Sequence, residues 1–199
     1  MSEEPSDVSK PYPAVFIELI ATAEAAGYGR QLVTEACAFW GLDGDVVDRA
    51  RLIMSEIVTN AFIASSYLDA SEEPGGLLMI APQLRIDGSS LFVEVLDKSP
   101  RMPRPRTVDD APSLDAEGGR GLILVESLSD RWGVSAADEG SKIVWARLDL
   151  KQAPPVSFAG CAVPLSEDLM HATITGTDGP HTTAANALMV RMMHPLTLL

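Results

Sequence analysis

The sequence has 199 residues, 46% hydrophobic and 22% charged, enough for one globular domain with an appendage. Its 28 acidic and 15 basic side chains give a net charge of −13, which argues against a non-specific nucleic-acid binder with a broad basic face. No apolar run reaches the roughly 18 residues that suggest a membrane span, and all three histidines (His171, His181, His194) fall near the end, so chemistry in the first 150 positions must use carboxylates, amides, backbone and metal.

Residues 1–12 are polar and acidic, unlike a signal peptide, and read as a flexible leader. Residues 14–20 are apolar and partly β-branched, which predicts a first strand. From about 21 to 40 the pattern turns helical, with Leu32, Val33, Ala36, Cys37 and Trp40 on one stripe and Gly41 as the stop. A second helix is expected over about 45–66, because Val46, Ala50, Ile53, Ile57 and Ala61 recur at steps of three and four; Asp45 is its expected cap. Residues 72–76 read as a turn. Two strand-like runs follow at 77–86 and 91–96, joined by the hairpin signal Asp87-Gly88-Ser89-Ser90.

Residues 98–118 form a long loop rich in proline and charge, the kind a compact domain keeps for a lid. A third helix is expected at about 122–129, then strands near 132–136 and 142–150. This order predicts an α/β two-layer sandwich, a mixed or mostly antiparallel sheet with helices on one face, over residues 13–150. Residues 151–199 carry few charges and no clear period, and read as a C-terminal extension of unknown role. Cys37 and Cys161 lie far apart and form no metal-type pair, so both read as reduced structural cysteines in a reducing compartment.

Three stretches carry candidate chemistry. In Ser55-Glu56-Ile57-Val58-Thr59-Asn60-Ala61, Glu56 and Asn60 are four apart and share a helix face at the border of the apolar stripe. An amide oxygen from Asn60 suits Mg²⁺, and Glu56 there can polarise a nucleophile attacking a phosphate. The plainer reading is the polar edge of an amphipathic helix, which such a pair taken alone favours. Asp97 ends Val93-Glu94-Val95-Leu96-Asp97 on the face of Leu91, Val93 and Val95, where a carboxylate needs a donor such as the exocyclic amine of adenine. It equally suits the start of a turn before Ser99-Pro100. Gly118-Gly119-Arg120-Gly121 leads into a helix, where backbone amides, the helix dipole and an arginine fork suit phosphate; a plain glycine-rich loop is the alternative. Lys98, Arg101, Arg104 and Arg106 make a basic run in the loop, either facing phosphates or simply solvated.

The order and wording of these stretches resemble the GHKL ATPase superfamily, in the form used by serine-kinase anti-sigma factors. SEIVTNAF resembles the N box, VEVLDKSPRMPRP the first glycine box, and GGRGLILVESLSDRWGV the second. QLVTEACAFWGL and KIVWARLDL are also similar to that family, so the likeness covers residues 14–150. It implies a Bergerat-type ATP fold, ATP with Mg²⁺ as cofactors, and phosphorylation of a serine on an anti-anti-sigma (STAS) partner. Several members also sequester a sigma factor. It implies Glu56 as catalytic base, Asn60 as Mg²⁺ ligand, Asp97 as adenine-binding residue, and Gly119, Arg120, Gly121 and Leu122 lining the phosphates. A cytoplasmic, soluble regulator that forms homodimers and touches neither nucleic acid nor membrane is the corresponding expectation. The sequence departs from the family at Lys98, where a glycine is usual after the aspartate, and at Phe62-Ile63-Ala64, where polar or basic residues are usual.

Two functions compete on these residues. One is an ATP-dependent protein serine kinase; the other is a binding module that grips a partner without phosphoryl transfer. A sensor histidine kinase is disfavoured because no histidine precedes position 171.

Overall fold

The described residues form six strands and four helices in order: β1 (Ala14–Phe16), β2 (Leu19–Ile20), α1 (Ala25–Phe39), α2 (Gly44–Ser65), β3 (Met79–Asp87), β4 (Ser90–Asp97), α3 (Arg120–Leu128), β5 (Arg131–Ala136), β6 (Lys142–Asp149) and α4 (Glu167–Thr175). They are seen in a computed structural model that describes residues 13–68, 78–103, 120–137, 140–154 and 162–175. The expected leader, the turn at 72–76, most of the proline-rich loop, Cys161, His181 and His194 lie outside the described residues.

The strands form one sheet in the order β1-β3-β4-β6-β5, with β2 also on β3, and every pairing is antiparallel. The period-2 pattern decides its faces. Leu91, Val93, Val95 and Asp97 of β4 are buried and alternate with half-exposed residues, and Lys142, Val144, Ala146 and Leu148 of β6 do the same. That inner face meets α1, α2 and α3, giving the expected two-layer α/β sandwich. The apolar stripes of the helices complete the core: Leu32, Val33, Ala36 and Cys37 of α1, and Ala50, Ile53, Met54, Ile57 and Val58 of α2, are all fully buried. Each isoleucine buried this way contributes about 1.5–3 kcal/mol relative to exposure. The helices approach closely because Gly29 faces Met54; a Cβ there would stand 3.0 Å from Met54 Cγ.

Helix boundaries follow local chemistry. α1 gives way at Trp40 and Gly41, whose φ of 66° is the left-handed conformation that glycine adopts readily. α2 begins one residue earlier than expected. Asp43 is its N-cap, with no side-chain capping bond, and Asp45 lies inside the first turn, where its charge favours the helix dipole rather than capping it.

One expectation is corrected. The single first strand is split, because Ile17 N–H donates to the Pro82 carbonyl but Pro82 has no N–H to return the bond. Within the extension, α4 folds back on α1. Glu35 accepts bonds from the Ser166 N–H at 2.8 Å and the Ser166 hydroxyl at 2.6 Å, and Gln31 donates to the Ser166 hydroxyl at 2.9 Å. Leu169 is fully buried in the same core. Among the described residues, no helix is long and apolar enough to cross a membrane.

Candidate functional site

Glu56 and Asn60 lie in α2, one helical turn apart and partly exposed, beside the buried Ile53, Ile57 and Ala61. α3 packs on this helix with its first turn against the pair. A Cβ added at Gly121 would collide with Glu56 Oε2, and would lie 3.4 Å from Glu56 Cδ and 3.6 Å from Asn60 Nδ2. Only glycine permits that approach. Leu122, the next residue, turns inward and is 3% exposed, which holds the turn in place. Arg120 opens α3, while its side chain and Gly119 lie outside the described residues.

Asn60 Nδ2 is buried and has no hydrogen-bond partner among the described residues. Such an atom costs about 1–3 kcal/mol unless something fills the need. A half-turn of the amide presents its oxygen instead, a hard ligand of the kind Mg²⁺ takes together with water and phosphate. The backbone N–H groups of the first turn of α3 have no helical partner and favour an anion. A carboxylate, an amide and a helix N-terminus therefore meet around Gly121, and the chemistry of this set fits a metal-bound phosphate chain. Among the described residues, no group of three or more His, Cys, Asp or Glu side chains could hold a metal ion.

Sequence reasoning did not find the next contact. The Arg30 guanidinium of α1 donates to the Ser55 hydroxyl at 2.7 Å, immediately before Glu56, and Thr59 donates back to the Ser55 carbonyl at 2.8 Å. Both tie down the turn of α2 that carries the pair.

Asp97 lies at the end of β4 on the helix-facing side and is 2% exposed. Its carboxylate already has partners. Lys142, directly opposite in the ladder and 5% exposed, donates to Asp97 Oδ1 at 2.5 Å and to the Ser99 carbonyl at 2.5 Å; the Ser99 N–H donates to the same Oδ1 at 2.8 Å. Burial pushes the Asp97 carboxyl above the usual range, while the Lys142 ammonium and the Ser99 N–H pull it back. The turn before Pro100 and the inward carboxylate are thus one arrangement rather than alternatives. The alternation of Lys-Ile-Val-Trp-Ala-Arg-Leu carries the signal for Lys142, since Lys142 shares its face with Val144, Ala146 and Leu148.

Lys98 is exposed, and its charge bears on Glu18, whose carboxyl is pushed up by burial and pulled down by that ammonium. Arg101 stacks on the Tyr67 ring at 4.4 Å, so this member of the basic run packs on the residue just beyond α2. Arg104 and Arg106 lie outside the described residues.

A family model described as "Histidine kinase-like ATPase domain" matches residues 19–148. No curated protein matches the sequence. One similar solved structure is that of the RsbU and RsbW domains of Rv1364c from Mycobacterium tuberculosis, with 21% identity over 69% of this chain and a TM-score of 0.45. This chain covers 32% of that one, so it spans about a third of its length. The family match runs from β2 through β6 and takes in Glu56, Asn60, Asp97 and Gly121; the chain belongs to the histidine kinase-like ATPase domain family.

Proposed function

We propose that this domain binds ATP with Mg²⁺ between α2 and α3 and acts as a protein serine kinase, an anti-sigma-factor-type regulator working in the cytoplasm on an anti-anti-sigma (STAS) partner. The contact of Gly121 with Glu56 and Asn60 is the observation that carries this reading. The motif wording supplies the kinase and its partner class.

The roles follow from the chemistry of each group. Asn60 would hold Mg²⁺ through its amide oxygen, with water and phosphate oxygens as the other ligands. The Gly119, Gly121 and Leu122 backbone, with Arg120, would line the phosphates at the start of α3. Bound ATP supplies the phosphoryl group. Glu56 would take the proton of the attacking serine hydroxyl, a role that its place beside Gly121 at the start of α3 supports. Arg30, through Ser55, keeps the carrying turn in position. Asp97 would meet the adenine amine at the sheet end. Transfer of label from γ-labelled ATP to a STAS protein, lost in Glu56→Ala, is the expected result; no transfer to any such protein contradicts the kinase reading.

The Lys142 ammonium on Asp97 favours a second reading, a module that grips a partner with little nucleotide uptake. Calorimetric titration separates the two: tight partner binding without heat from Mg²⁺-ATP selects the module.

A further inference from the structure

We propose that Lys142 competes with the nucleotide base for Asp97, so that the chain's own ammonium sets how tightly adenine is held. This rests on the reading that the cleft takes ATP.

The contest begins in the sheet. Asp97 ends β4, Lys142 opens β6, and the two are direct cross-strand partners on the buried face. Side chains so placed meet without rearrangement. The ammonium bridges Asp97 Oδ1 and the Ser99 carbonyl, each at 2.5 Å, and the Ser99 N–H closes the loop on Oδ1 at 2.8 Å. One ammonium therefore satisfies a buried carboxylate and a backbone carbonyl together.

An adenine amine offers this carboxylate only a neutral donor. Charge-assisted bonds are about twice as strong as neutral ones, so at Oδ1 the amine enters against a better partner already seated. Displacing Lys142 would leave the Ser99 carbonyl without its donor and strand an ammonium in a space where it is 5% exposed. If Lys142 stays, its charge compensates Asp97 and weakens what the carboxylate gives the amine. Either way the base gains less at Asp97 than it would from a carboxylate awaiting a donor. Lys142 thus acts as a specificity-determining residue at the base end.

Lys142→Met keeps the stem and removes the charge. The test titrates Mg²⁺-ATP, and Mg²⁺ with the triphosphate of purine riboside, which lacks the exocyclic amine, into the wild type and this variant. Thermal unfolding is followed with and without nucleotide. The expected result is about tenfold tighter ATP binding by the variant, a gain within the range of one hydrogen bond to a charged group. The triphosphate without the amine should show no such gain. The ligand-free variant should melt lower and recover with ATP. Lys142→Gln, which leaves Asp97 a neutral donor, should fold and fall between the two, and it carries the test if Lys142→Met does not fold. Equal ATP affinities in wild type and variants overturn the proposal and leave the ATP reading standing. Weaker binding by the variants overturns it too, making Lys142 a base contact. Nucleotide binding by none of the proteins sinks the ATP reading and this proposal with it.

Discussion

Gly121 of α3 stands so close to the Glu56 carboxylate of α2 that a single methyl group would not fit between them. Two helices separated by the sheet hairpin and the long loop are thereby locked in register. A carboxylate suited to proton transfer is placed against a helix N-terminus suited to anions.

Gly121→Ala tests that relationship. The colliding atom is the end of a flexible side chain, so the carboxylate is pushed aside while the core remains. Stability should change little, since alanine is favoured over glycine in a helix by up to about 1 kcal/mol, which offsets part of the strain. Phosphoryl transfer should fall by at least about tenfold, because a displaced catalytic group loses its alignment. Thermal unfolding and labelled-phosphate transfer, measured on the same preparation, check both halves.

Cys37 should be chemically silent in the folded protein. It is fully buried in the core, and burial pushes its thiol up to about 12, so almost no thiolate exists near neutrality. In a Cys161→Ser background, a thiol reagent at pH 8 should label the native protein only at the unfolding rate and label the denatured protein at once. Fast native labelling would place Cys37 outside the core.

The docking of α4 should weaken in acid. Burial raises the Glu35 carboxyl, but the bonds from the Ser166 hydroxyl and N–H and from Gln31 outweigh it and hold the group below its ordinary value of 4.5. A depressed carboxyl stabilises the fold fully above the unfolded value and loses that contribution as pH falls through the folded one. Hydrogen exchange in residues 167–175 should therefore rise below pH 4.5, ahead of the sheet. Ser166→Ala, which removes the hydroxyl that donates to Glu35 and accepts from Gln31, should loosen α4 by about 1 kcal/mol near neutral pH, and by less once Glu35 is protonated.

Leu169→Ala should cost about 2–5 kcal/mol, as for other fully buried leucines. A value near zero, read from denaturant unfolding, would show that α4 contributes nothing to the core.

Most of the layer architecture was legible because it depends on local period. The stripe from Val46 to Ala61 announces α2, and the alternation from Leu91 to Asp97 announces β4. What escaped depends on partners distant in sequence. The break between β1 and β2 is caused by Pro82 in another strand. α4 is short, and its first turn is held by Glu35, 131 residues away. Glu56 and Asn60 could be placed on one face, but that Gly121 would press on them depends on how α3 crosses α2. The inward aim of Asp97 was readable from alternation. Its ammonium partner required the register of β4 against β6, which no local pattern states.

The most direct test of the site is a calorimetric titration of ATP, with and without Mg²⁺, into the wild type and Asn60→Ala. Removing an unpartnered buried amide should leave the fold at least as stable. The account predicts saturable, Mg²⁺-dependent binding by the wild type and loss of the Mg²⁺-dependent part in the variant. Identical Mg²⁺-dependent binding by both proteins would contradict it.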